Sequence, residues 1–130
     1  MAEMSNFLEN ALINATLRNT TYTSVATVYV SLWTSDPTDA GSGTEVSTSG
    51  TSYARTAVTF GAPSNGASLN SADVTFPTAT ASWGTVGWIG INDAATSGNL
   101  LYHTALDTAK AIDSGDIFKI STGNLSVTLA

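Results

Sequence analysis

The chain has 130 residues, no cysteine and one histidine. That length can bury one core unaided, and the composition excludes a disulfide framework, a thiolate zinc site and a multi-histidine metal centre. Ten acids against four bases give a formal charge of −6, which argues against a nucleic-acid partner bound by phosphate neutralisation. Only 11% of residues are charged, while serine and threonine together number 37, a balance suited to strands, turns and protein-facing surfaces.

No apolar run approaches the roughly 20 residues that span a bilayer, so no membrane insertion is expected. The start Met-Ala-Glu-Met-Ser lacks the basic residues and apolar run of a signal peptide. The expectation is a soluble chain made in the cytoplasm, with one domain over residues 1–130.

Residues 4–18 read as the only helix. Ser5 is placed to cap it, and Met4, Leu8, Ala11, Leu12 and Ala15 recur at helical spacing as an apolar stripe. That stripe has two available partners, the chain's own sheet or a neighbouring subunit. The run 19–24, rich in threonine, ends the helix.

From Val25 the period becomes two. In residues 26–34, Val28, Val30 and Leu32 alternate with Tyr29, Ser31 and Trp33, so both faces of this strand expect a cover. Residues 35–52 form a long polar loop with almost nothing to bury, the kind of segment that often makes contacts; Glu45-Val46 is a candidate brief edge strand. Further strands are expected over 53–60, 69–76 (stopped by Pro77), 84–91, 100–106, 117–120 and 125–129. Of these, 100–106 places Leu100, Tyr102 and Leu106 on one face. Trp88 alternates with Val86 and Gly90, while Ile89 and Ile91 point the other way. Turn clusters at 61–66, 92–99 and 113–116 separate the strands. The fold class is all-β: an antiparallel β-sandwich, jelly-roll or Ig-like, of about seven or eight strands over 21–130, preceded by one N-terminal α-helix within 1–20.

Candidate chemistry is sparse. His103 has a reference pKa near neutrality but no Gly-x-Ser-x-Gly elbow accompanies it, and it reads as a structural histidine at a strand surface. Asp36-Pro-Thr-Asp39 and Asp113-Ser-Gly-Asp116 each offer two carboxylates, too few for a complete calcium loop; aspartates that start turns explain both. Arg55, nearly alone as a base in mid-chain, expects an acid such as Glu45 or Asp36. Trp33, Trp83, Trp88 and Tyr102 suit either packing or a sugar platform. No cofactor, metal or catalytic residue is expected, and the protein reads as a non-enzyme. The expected interface residues are Met4, Leu8, Leu12, Trp33 and Trp88.

Two blocks carry a resemblance. The first is Val28-Tyr-Val-Ser-Leu-Trp-Thr-Ser-Asp-Pro37 with Gly43-Thr-Glu-Val46 and Tyr53-Ala-Arg-Thr-Ala-Val-Thr-Phe60. The second is Phe76-Pro-Thr-Ala-Thr-Ala-Ser-Trp-Gly-Thr-Val86 with Ile91-Asn-Asp-Ala94 and Asn99-Leu-Leu-Tyr-His103. Together with Ser114-Gly-Asp116 and the closing Leu-Ser-Val-Thr-Leu-Ala, they resemble small structural proteins of tailed bacteriophages, often labelled tail-fibre proteins. The resemblance implies a β-sandwich in the virion, either tail-fibre-type or capsid-decorating, a homo-oligomer or symmetric array whose partners are itself and other virion proteins. The rival expectation is a carbohydrate-binding module that attaches to a host-surface glycan. A polysaccharide hydrolase is a third possibility, for which turn-spaced carboxylates supply no groove.

Overall fold

The structure, a computed structural model, describes residues 2–129. The predicted helix is shorter at its start. Strand β1 (Glu3–Met4) comes first, and helix α1 runs over Asn6–Leu17. Met4 therefore pairs in a strand, opposite Tyr102, instead of opening the helical stripe. The reason lies at Ser5, whose extended backbone and side-chain oxygen cap α1 by accepting the Leu8 N–H at 3.2 Å. A residue in that conformation cannot continue a helix backward. At the other end Asn19 takes a left-handed φ of 53°, which asparagine tolerates.

Strands β2 (Val28–Trp33), β3 (Thr56–Val58), β4 (Ala67–Leu69), β5 (Val74–Thr75), β6 (Gly84–Asn92), β7 (Leu100–Ile112), β8 (Lys119–Ile120) and β9 (Ser126–Thr128) follow. One antiparallel sheet has the order β1-β7-β6-β2-β3, and two ribbons, β4-β9 and β5-β8, stand apart from it. The fold is an all-β antiparallel sandwich with one short helix.

Several boundaries differ from the sequence expectation. The expected strand 69–76 is cut into β4 and β5 because Asn70 turns inward: its side-chain amide donates to the Ala72 and Ser121 carbonyls, and its Oδ1 accepts from Leu125 N. The expected 100–106 strand runs on to Ile112, since β6 supplies partners as far as Gly84. Residues 35–52 bury more than their polarity suggests: Pro37, Val46 and Thr51 are buried. Glu45 bridges Trp33, and the Val46 N–H donates to Leu32 O at 2.9 Å, so the edge at 45–46 is a single bridge.

The main core lies on the face of the large sheet that carries Val30, Leu32, Val58, Ile89 and Ile91, closed by Val74, Phe76, Trp83, Phe118, Ile120 and Leu125. Ring edges meet ring faces within it, Tyr53 to Trp83 at 5.4 Å and Phe76 to Phe118 at 5.6 Å, an arrangement favoured by aromatic quadrupoles. Trp83, at the bend before β6, is anchored by its indole N–H donating to Thr51 O at 2.9 Å. Val86 joins this core beside Ile89 and Ile91. Strict alternation would have put it with Trp88, but the β6–β7 register slips between Val86 and Trp88, and a bulge at that point exchanges faces. A second slip between Ile91 and Asn92 sets Leu100 opposite Asn92. Leu100 thereby leaves the Tyr102 face and approaches Gly90.

Candidate interaction face

The opposite face of the large sheet is where helix and loops pack. Across four strands its register aligns Glu3, His103, Gly90 and Ser31, with Trp33 opposite Trp88 and Trp88 opposite Ala105 one step along. A Cβ on Gly90 would lie 2.7 Å from both Leu100 Cδ1 and Ser31 Oγ and 3.0 Å from Trp33 Nε1. Only glycine fits, and the freed space is filled by a hydrogen-bonded chain. Trp33 Nε1 donates to Ser31 Oγ at 2.8 Å, and Ser31 Oγ donates to Asn92 Oδ1 at 2.6 Å.

Helix α1 packs on β7 and β1, tied by Ser5, whose N–H donates to Leu101 O and whose hydroxyl donates to Leu100 O. Of the residues expected at an interface, Leu8 and Trp33 are buried within the chain, while Met4, Leu12 and Trp88 are half-buried. The helical stripe thus faces the chain's own sheet. Sequence reasoning missed the apolar residues left outside: Leu17 is 78% exposed, Ile13 52% and Phe7 42%. The available signal was their position off the stripe in a helix that carries so few charges.

Trp88 lines a cleft of about 390 Å³ with Glu3, Asp36, His103 and Asp107. Three carboxylates border it, with no lysine or arginine among the lining residues. His103 is not at a strand surface as expected but buried, at 5% exposure. Its Nε2 lies 2.8 Å from Asp39 Oδ1 and 3.9 Å from Glu3 Oε2, so a carboxylate, not a serine hydroxyl, engages it. Donor atoms of these three residues all lie within 4.8 Å of one another.

Both aspartate pairs act in turns. Asp36 Oδ1 accepts the Thr38 N–H at 2.8 Å, and Asp116 Oδ2 accepts the Asp113 N–H at 2.9 Å. Arg55 takes Glu45 as its partner. Its Nε and Nη2 donate to the two carboxylate oxygens at 2.9 Å each, and Nη1 donates to the carbonyls of Ala94 and Ser97. Tyr53 donates to the same carboxylate at 2.6 Å and accepts the Leu32 N–H at 3.0 Å. Burial first, then the bond to Glu45, pushes the Tyr53 phenol far above its ordinary value. This network pins the 45–55 segment and the 92–99 turn to the sheet edge.

With this geometry in view, comparison with family models assigns the class: the chain is a small tail-fibre-type phage protein. The match, over residues 3–128, is to the family described as podophage GP4 fiber I protein gp80, and the chain belongs to that family. No curated protein matches it.

Proposed function

We propose that the protein is a non-enzymatic fibre component that works through protein–protein contacts in a homo-oligomer or symmetric array on the virion. One observation carries this reading. Helix α1 already uses its Leu8 side against the chain's own sheet, yet it presents Ile13 and Leu17, four residues apart and therefore on one face, to solvent. Two large aliphatic side chains exposed together on one helical face suit contact with a neighbour. Membership of a fibre family favours the tail over a capsid-decorating position. The 35–52 loop, held against the sheet by Glu45 and Val46, is the second proposed contact element.

Removal of residues 1–18 is a poor test, because Ser5 and Leu8 belong to the fold. The double substitution Ile13→Asp, Leu17→Asp spares both. It should reduce self-association in sedimentation and incorporation into particles at least about tenfold, since an interface anchor is worth 2 kcal/mol or more, while leaving the thermal midpoint within about 2 °C. Unchanged incorporation rejects α1 as a contact element.

A glycan-binding reading draws on Trp88, half-buried beside the carboxylates of the 390 Å³ cleft. An aromatic face with nearby acceptors is a chemistry that holds a sugar ring. Trp33, buried and hydrogen-bonded internally, has no part in it. On a glycan array, a signal lost in Trp88→Ala supports this reading; array-wide silence of the native protein leaves the structural one.

A further inference from the structure

The chain's one imidazole, His103, is buried beside two carboxylates. We infer that Glu3, Asp39 and His103 form a binding site for a divalent first-row transition ion of the zinc type, which clamps β1 and the 36–39 turn onto β7.

Three observations carry it. First, each ligand position is set by backbone pairing. Glu3 and His103 are register partners in the β1–β7 ladder, which brings their side chains onto one face within reach of each other. Asp39 is held by its own carbonyl, which accepts the Asn6 N–H at 2.9 Å. Three segments far apart in sequence therefore bring their donors within 4.8 Å of one another.

Second, the spacing fits an ion. Metal–ligand bonds of about 2.0–2.2 Å put the donors of a tetrahedral site roughly 3.3 Å apart. The observed His103–Asp39 and His103–Glu3 separations of 2.8 and 3.9 Å bracket that value.

Third, the surroundings favour a cation. Asp36 and Asp107 line the same cleft as Glu3 and His103, and no lysine or arginine does. One imidazole nitrogen with two carboxylates selects zinc-type ions over calcium, which prefers all-oxygen shells. Glu3 and Asp39 side chains are 72% and 47% exposed, so the remaining coordination positions open to water.

The clamp has a structural purpose. Strand β1 has only two residues, and beyond the ladder its hold on β7 rests largely on Ser5. An ion bonded to Glu3, Asp39 and His103 would fasten the segment that leads into α1, and so position the exposed helix face.

The test uses the full chain, stripped with a chelator and titrated calorimetrically with Zn²⁺, Co²⁺ and Ca²⁺ in turn. Expected are one Zn²⁺ per chain, affinity at least about tenfold above that for Ca²⁺, and a rise in thermal midpoint of several degrees at saturation. Co²⁺ should give the visible absorption of a low-coordinate nitrogen–oxygen site. Glu3→Gln, at an exposed position that keeps the fold, should weaken Zn²⁺ binding by about tenfold or more, and Asp39→Asn should do the same. No saturable Zn²⁺ binding overturns the proposal, and so does binding that Glu3→Gln and Asp39→Asn leave unchanged or that favours Ca²⁺.

Discussion

At the scale of single residues, several of the chain's few charges are tied into defined contacts. Arg55 is the clearest case. Its guanidinium forks onto Glu45 and also reaches two carbonyls of the 92–99 turn; the side chains of this pair are 11% and 22% exposed. Removing the cation leaves the carboxylate and two carbonyls short of donors, so Arg55→Ala should cost about 2 kcal/mol in urea denaturation. Arg55→Lys should recover less than half of that, because an ammonium cannot bridge both oxygens and the turn together. The expectation that Arg55 meets Glu45 or Asp36 was available from charge scarcity alone. The choice of Glu45 was not, since it depends on the 45–46 bridge to β2.

At the scale of elements, ends and slips matter more than lengths. Ser5 serves two elements at once, capping α1 and bonding to β7. The ribbon β5-β8 has only two residue pairs and is held by Asp73 just before it. One Asp73 oxygen accepts both the N–H and the hydroxyl of Thr122 at 2.8 Å, and the other lies 3.2 Å from Lys119 Nζ. The backbone bond from Thr122, then its hydroxyl, then Lys119, lower the carboxyl from its ordinary 3.8. A carboxyl depressed by folding contributes stability that is full above its unfolded value and fades as pH falls through the folded one. Acid unfolding of Asp73→Asn, followed by circular dichroism, should therefore show a shallower loss of stability below about pH 4 than the native chain. The difference between Asp73→Asn and the native chain should vanish at the most acid end.

At the scale of the whole molecule, the sheet has two differently used faces. One holds the aromatic and aliphatic core; the other carries Ser31, Asn92, Gly90 and His103 under the helix and loops. The proposed helix contact lies beyond this second layer, on the side of α1 turned away from the sheet. That separation is why Ile13 and Leu17 can be changed to aspartate without opening the core, and why assembly and stability should respond independently to substitution there.

The sequence by itself determined the all-β class, the single helix with its Ser5 cap, the turn roles of the aspartate pairs and the likeness to phage fibre proteins. These are local: period-two alternation, capping chemistry and turn residues act within a few positions of one another. Tertiary structure alone decided which face Val86 and Leu100 serve, because one slipped residue in a ladder exchanges faces and nothing in the alternation announces it. It also decided that Glu3, Asp39 and His103 meet. Their convergence needs the β1–β7 pairing and the Asn6–Asp39 backbone bond, contacts between residues 100 and 33 positions apart that no local pattern encodes.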